Sequence, residues 1–114
     1  MTMDKQATLA AITQGFVQSQ SLLLALGDEN RQLLIIALLR FGCDGARVGA
    51  LTAQTHLSRP AVSHHLKILK DADLVTLRKE GTKHYYAVNP NGNFAVIQST
   101  TAMIQALAVT SKVP

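Results

Sequence analysis

Residues 57–75 read LSRPAVSHHLKILKDADLV and contain the signals of one complete helix. Ser58 can accept a hydrogen bond from a free amide of the first turn, and Pro60 fits that turn because no amide donor is needed at its position. Apolar residues then recur with helical spacing and form a single stripe: Val62, Leu66 and Leu69. The pattern predicts a helix over 58–71 that is packed on one side and polar on the other.

The polar side of this helix carries side chains that suit the DNA major groove. Arginine can bind both acceptors of a guanine edge, and serine, histidine and lysine can bind single acceptors or phosphates. The residues concerned are Ser58, Arg59, Ser63, His64 and Lys67. Any surface helix has a polar face, however, so the sequence on either side of this helix must distinguish the two interpretations.

A short helix is predicted before this stretch and a β-hairpin after it. Residues 48–55 favour a short helix that ends near His56, which gives a helix-turn-helix layout with the second helix as the DNA-reading one. Two β-branched and aromatic runs within 74–88 are joined through Gly81 and predict the hairpin, or wing. Loops of two or three residues both fit, so either tyrosine, Tyr85 or Tyr86, can face the core. The wing adds three cations: Arg78, Lys79 and Lys83.

The rest of the chain predicts three further helices. They span about 4–26, 28–41 and 93–111. The second is apolar nearly all round, with an expected core face of Leu34, Ile35, Leu38 and Leu39, and the last has no charge before Lys112. Helices of this kind need cover on more than one side, which indicates a dimer or a ligand surface.

Composition limits the class of protein. With 114 residues, 47% of them hydrophobic, the chain is expected to form one domain, 1–114, with a modest core. The net charge is +4, and six of the 11 Lys and Arg lie between positions 59 and 83, which favours a polyanionic partner. No apolar run approaches the roughly 20 residues of a membrane span, and no leader pattern is present. We therefore expect a cytoplasmic protein without membrane association and, with a single cysteine, without an intramolecular disulfide.

Order and spacing together resemble the winged helix-turn-helix repressors of the arsenic-repressor (ArsR/SmtB) family over roughly residues 22–90. The matching segments are Ala25–Arg31, Leu34-Ile35, Val48–Leu51, Leu57-Ser58, Val62–Leu66, Leu69 and Leu74-Val75, with Arg78, Gly81 and Tyr86 in the wing. The resemblance implies a mainly α fold of about five helices and a two-stranded wing. It also implies a homodimer in which the first and last helices form the interface.

Two departures from the family pattern concern the turns and the sensor. His56 and Asp73 stand where the family often has glycine, so we expect left-handed backbone at both. The family's two metal-binding cysteines correspond to Arg47 and Gly49, and the last helix offers only Gln98, Ser99, Thr100 and Thr101 at its usual metal site. Thiolate or imidazole ligands are missing from these positions, so no metal or other cofactor is expected. An organic effector bound at the second or last helix remains open.

No residue pattern indicates an enzyme. The sequence has no Ser-His-acid order with a nucleophile turn, no paired carboxylates on one helix face and no glycine-rich phosphate loop. Cys43 is read as incidental, His65 as packed at the edge of the core, and His84 as a surface residue that could also contact phosphate.

The function expected is that of a homodimeric, sequence-specific DNA-binding transcriptional regulator, with repression as the expected direction. It would bind double-stranded DNA at an inverted-repeat operator through the helix 58–71 and the wing 74–88. The alternative is a winged-helix RNA-binding or protein-interaction module without operator recognition.

Overall fold

The computed structural model describes residues 4–110. Within them the elements are α1 (Lys5–Gln18), α2 (Gln20–Leu26), α3 (Glu29–Phe41), α4 (Val48–Ala53), α5 (Arg59–Asp71), β1 (Val75–Glu80), β2 (Lys83–Val88) and α6 (Asn93–Thr110). A short 3-10 turn over Gly42–Asp44 joins α3 to α4. This confirms the mainly α winged helix-turn-helix class. The predicted end of the last helix, Ser111, and the charge at Lys112 lie outside the described residues.

The first predicted helix, 4–26, is wrong as a single element. It is broken at Ser19, and its two parts, α1 and α2, are bent by 55°. The physical reason is that the two parts pack on different partners, α1 against α6 and α2 against α3 and α5. Both parts are apolar on one side, so hydrophobic periodicity does not reveal the bend between them. No single helix of residues 4–110 is long and apolar enough to cross a membrane; α1 and α2 meet that criterion only as a bent pair.

The core forms where α5 lies across α2, α3 and α4. Its stripe residues Val62, Leu66 and Leu69 are fully buried, as predicted. On α3, Leu34 and Leu38 are fully buried too, but Leu39 is 60% exposed, so its place in the predicted core face was wrong. Successive residues of a helix point about 100° apart, so Leu39 points away from the face that Leu38 lies on. The third buried residue of that face is Ala37, beside Leu34 and Leu38.

The crossing of α1 and α6 is close because of one glycine. A Cβ added at Gly15 would overlap the Oγ1 hydroxyl of Thr100, which is itself 1% exposed. The Oγ1 of Thr100 donates to the carbonyl of Val96 at 2.8 Å and is therefore satisfied within α6. The two helices can approach this closely only where one of them has no side chain.

The wing has a two-residue loop, Gly81-Thr82, because Glu80 pairs with Lys83. Positive φ occurs at Gly81 (60°), the first loop residue, as hairpins of this length require. Tyr86 pairs with Leu77 and packs against the core, whereas the ring of Tyr85 lies under a guanidinium. The register that the sequence left open is therefore the one with Tyr86 facing inward.

Of the two expected left-handed residues, only one is left-handed. Asp73 has φ +61°, as expected, but His56 does not have positive φ, so that interpretation was wrong. The turn between α4 and α5 closes instead through hydrogen bonds of Gln54 and Thr55, whose amides donate to the last turn of α4.

The left-handed residue lies in a joint between α5, the wing and α6. Nδ2 of Asn89 donates to a carboxylate oxygen of Asp73 at 3.2 Å, and Nδ2 of Asn93 donates to the carbonyl of Ala72 at 2.8 Å. Gly92, with φ +64°, leaves room for the Asp73 carboxylate. These contacts fix the end of α5 to the beginning of α6.

We expect Gly15→Ala to destabilise the protein, because the overpacking cost of ~1–3 kcal/mol exceeds the helix-propensity gain of about 0.5–1 kcal/mol. Gly27→Ala is the matched control, since Gly27 has φ −72° and an added Cβ would be 3.4 Å from its nearest neighbour. Urea denaturation followed by circular dichroism measures both. Equal stability of Gly15→Ala and wild type would show that the two helices separate without cost.

Candidate nucleic-acid interface

The orientation of α5 is set at its first turn and along its buried stripe. Oγ of Ser58 accepts from the amide of Ala61 at 3.3 Å, and Pro60 lies in the first turn, as the sequence predicted. Because the stripe is buried, the opposite face must be in solvent. The structure exposes the side chains predicted on that face: Arg59, Ser63, His64 and Lys67. Three of them, at positions 63, 64 and 67, are neighbours on one helical surface.

Arg31 holds α5 against the preceding helices. Its Nε donates to the carbonyl of Ala25 at 2.7 Å, and its Nη1 lies 3.3 Å from Nδ1 of His65. A guanidinium can only donate, so Nδ1 of His65 accepts in this contact. His65 is half-buried and His64 exposed, as predicted. The sequence placed Arg31 in the first turn of its helix, but its reach to α2 and α5 is a tertiary contact that local pattern does not reveal.

The cap of α3 belongs to the same cluster. The amide of Arg31 donates to the Asp28 carboxylate at 3.0 Å, and this hydrogen bond lowers the pKa of Asp28 below its usual 3.8. The charge of Arg31 adds to the lowering of this pKa, and partial desolvation opposes it. A lowered folded-state pKa means that the cap stabilises the protein above pH 3.8 and loses this effect as the pH falls through the folded value.

The three wing cations do not have equivalent surroundings. Lys79 and Lys83 are exposed on either side of the loop and have no ion pair within residues 4–110. Arg78 is bound: its Nη2 donates to the carbonyl of Asp44 at 2.8 Å, its Nη1 donates to the carboxylate of Glu80, and its Cζ lies 4.7 Å from the centre of the Tyr85 ring. The two lysines are therefore the wing cations that can bind an external anion without losing an ion pair within the described residues.

The structure places Arg59 apart from the other polar residues of α5. It is the first residue of the helix, and its Nη1 lies 3.6 Å from the position that a Cβ on Gly49 would take. Its guanidinium thus extends back over α4. Sequence reasoning grouped it with Ser63 and His64 and did not predict this direction.

Metal-ligating side chains do not cluster in the part of the chain that is described. No group of three or more His, Cys, Asp or Glu there could hold an ion, and Cys43 is an exposed free thiol. Arg47 precedes α4 and is exposed, and Gly49 follows it two residues later.

Comparison with known proteins gives matches over most of these elements. The model of the bacterial regulatory protein arsR family matches residues 28–76. An arsenical resistance operon repressor of Staphylococcus aureus is 38% identical over 78 residues, which cover 65% of this chain and 68% of that protein.

Solved structures have the same fold. An ArsR-like transcriptional regulator from Rhodococcus sp. RHA1 aligns with TM-score 0.61 and 23% identity over 82% of each chain. The homodimeric winged helix-turn-helix DNA-binding domain of a possible ArsR-family regulator from Mycobacterium bovis, solved by NMR, aligns with TM-score 0.54 and 23% identity. That alignment covers 99% of this chain and 93% of the other.

We expect Arg31→Ala to lower the free energy of unfolding by about 1–3 kcal/mol, because it leaves the α2 carbonyls and His65 without their charged donor. Arg40→Ala is the matched control: it removes the same charge from an exposed position of the same helix and should change stability by less than about 0.5 kcal/mol. Chemical denaturation compares them. If both variants lost the same stability, the Arg31 contacts would contribute nothing to the fold.

Proposed function

Because the chain belongs to the arsR family of bacterial regulatory proteins, we propose that it is a homodimeric transcriptional repressor that binds an inverted-repeat DNA operator. Its relatives are named as regulators and repressors, and neither role is enzymatic. We propose that residues 1–114 act as one winged helix-turn-helix domain. The observation that carries the proposal is the exposed polar face of α5, held outward by a fully buried stripe.

The helix α5 supplies the base contacts in this proposal. With 13 residues it is about 20 Å long, which is sufficient to lie in a major groove. Ser63 and His64 are within two turns of its start and short enough to bind base edges directly. Ser58 and Lys67 flank them and suit phosphates on the two sides of the groove.

The wing supplies phosphate contacts. Lys79 and Lys83 are long, exposed and free of ion pairs within the described residues, so they can neutralise the DNA backbone without losing a protein contact. Arg78 is already hydrogen bonded to the loop before α4, and its proposed role is to hold the wing against that loop. Its charge adds to the positive potential at the DNA.

A homodimer explains the apolar surface that one copy leaves exposed. On α1, Phe16 is 44% and Val17 59% exposed, and on α6 Val109 is 82% exposed. These helices are the two that already pack together, so a second copy can cover both at once. The similar domain from Mycobacterium bovis is homodimeric. Two-fold symmetry would then place two α5 helices about 34–36 Å apart, in successive major grooves.

The signal that releases DNA is proposed to be something other than a metal at the family's thiolate positions. Arg47 and Gly49 offer no ligand atom for a soft metal, since a guanidinium has no acceptor lone pair. The arsenical resistance role of the Staphylococcus aureus relative belongs to that protein. We propose an organic effector at α3 or α6, and on α3 the exposed apolar residues Ile36 and Leu39 suit such a ligand.

Selection from random DNA duplexes tests the proposal directly. We expect enrichment of an inverted repeat whose half-sites are centred about 10–10.5 base pairs apart, or a multiple of that spacing. A parallel selection from random RNA addresses the alternative module. Enrichment of RNA alone, or of no nucleic acid, would contradict operator binding.

For the interface, we expect Val17→Glu to convert the dimer to monomer. Val17 is exposed in one copy, so the monomer can fold with a charge there, whereas a dimer would bury that charge without a partner. Gln54→Glu is the control, since it adds the same charge at an exposed position after α4. Analytical ultracentrifugation at micromolar concentration measures the masses. A monomeric wild type, or a Val17→Glu dimer, would refute the proposed interface.

For DNA reading, we expect His64→Ala and Lys79→Ala to weaken binding in different ways. Loss of a base contact at His64 should cost about 1–3 kcal/mol per half-site and relax sequence preference at one position. Loss of a phosphate contact at Lys79 should weaken selected and random duplexes alike and flatten the salt dependence by about 0.9 in log–log slope per half-site. Fluorescence anisotropy over a salt series separates the two. The reverse pattern would mean that the helix and the wing have been assigned the wrong roles.

A further inference from the structure

We infer that Arg47, Arg59 and His84 form a clamp for one DNA backbone phosphate at the seam between the helix-turn-helix and the wing, and that Arg59 is a phosphate ligand rather than a base reader. This inference rests on the proposed function and extends it. It gives Arg47 a role that no sequence pattern suggested, and it changes the role of Arg59.

The clamp is a cleft at the place where three elements meet. Arg47 and Val48 come from the start of α4, Arg59 from the start of α5, and Thr82 and His84 from the wing loop and β2. The cleft has a volume of about 190 Å³. A water molecule takes about 30 Å³ in the liquid, so the cleft has room for a phosphate group and several waters.

Within residues 4–110, no carboxylate forms an ion pair with the arginines of the cleft. The ion pairs within residues 4–110 are Arg31 with Asp28 and Arg78 with Glu80, so neither Arg47 nor Arg59 has a carboxylate partner there. No acidic residue lines the cleft. Two guanidinium groups that share one cleft repel each other until an anion lies between them, and a phosphodiester fits their planar donors in a bidentate way.

The direction of Arg59 separates it from the base-reading residues. Helix side chains tilt toward the N-terminus, so a residue at the first position extends beyond the end of its helix instead of along the groove-facing surface. Arg59 follows this rule, because its Nη1 lies over Gly49 of α4 and it lines the cleft together with the wing. Ser63 and His64, one turn later, do not line it.

The same two arginines also border an apolar surface. A second, larger cavity of about 450 Å³ adjoins the cleft and shares Arg47 and Arg59 with it. Phe41, Ala46 and Tyr85 are among the residues that line this cavity. Both arginines therefore lie between the cleft and an apolar surface on which aliphatic stems can pack.

The test compares four variants of the full chain on a duplex from the selection above and on a scrambled duplex of the same composition. They are Arg47→Ala, Arg59→Ala, the charge-conserving Arg47→Lys, and Arg40→Ala as a control for loss of one charge elsewhere. Binding is measured by fluorescence anisotropy between 50 and 200 mM salt, after circular dichroism has confirmed folding.

We expect Arg47→Ala and Arg59→Ala each to weaken both duplexes by the same factor and to flatten the salt slope by about 0.9 per half-site. For the dimer the change is about 1.8, so that wild type loses about 12-fold more affinity than either variant over this fourfold salt range. Arg47→Lys should retain the slope, and Arg40→Ala should match wild type. In wild type, the Nε–H NMR signals of Arg47 and Arg59 should shift on addition of the scrambled duplex, a measurement that needs no variant.

Three results would overturn the inference. Relaxed sequence preference in Arg59→Ala with an unchanged salt slope would make Arg59 a base reader. Unchanged binding in Arg47→Ala, while His64→Ala and Lys79→Ala still weaken the complex, would leave the proposed function intact and remove the clamp. Failure of wild type to bind any duplex would remove both.

Discussion

Burial of the apolar stripe of α5 is the constraint on which the rest of the structure depends. Val62, Leu66 and Leu69 are each fully buried, and burial of such side chains contributes roughly 1.5–3 kcal/mol apiece. Rotating α5 to hide its polar face would lose that contribution and also bury a histidine and a lysine without partners. The same packing therefore fixes which residues face solvent. Arg31 helps to orient α5 against α2, because it is hydrogen bonded to α2 and contacts His65 of α5.

The bend at Ser19 separates two packing surfaces, that of α1 on α6 and that of α2 on the core. On one side of it, α1 turns away to pack on α6 through the close contact of Gly15 with Thr100. On the other side, α2 joins α3 and α5 in the core. The apolar residues left exposed on α1 and α6 lie outside that core. A second copy can therefore bind to them or dissociate without disturbing the packing of α5. Separate surfaces for assembly and for DNA are what this arrangement provides.

The parts of the fold that the sequence predicted well are those with local signals. The cap at Ser58, the stripe of α5 and the glycine of the wing loop each act within a few residues, so pattern and propensity suffice. The bend at Ser19 and the exposure of Leu39 depend on which helix packs against which. The contacts of Arg31 and the direction of Arg59 depend on residues 6 to 34 positions away or on another element. Charge pattern indicated the region proposed to face DNA. It did not divide the cations there into bound ones such as Arg78 and ones such as Lys79, which has no ion pair within residues 4–110.

The joint made by Asp73, Asn89 and Asn93 fixes one end of α6 to the end of α5. Its 18 residues extend about 27 Å from the point where Asn93 is hydrogen bonded to the last turn of α5. If α6 tilted by about 5° at this joint, its far end would move by about 2.4 Å, given that length. At this joint the backbone of Asp73 is left-handed, and its carboxylate occupies the space beside Gly92. Because this joint lies at its beginning, α6 can change its tilt at the far end while the buried stripe of α5 stays packed.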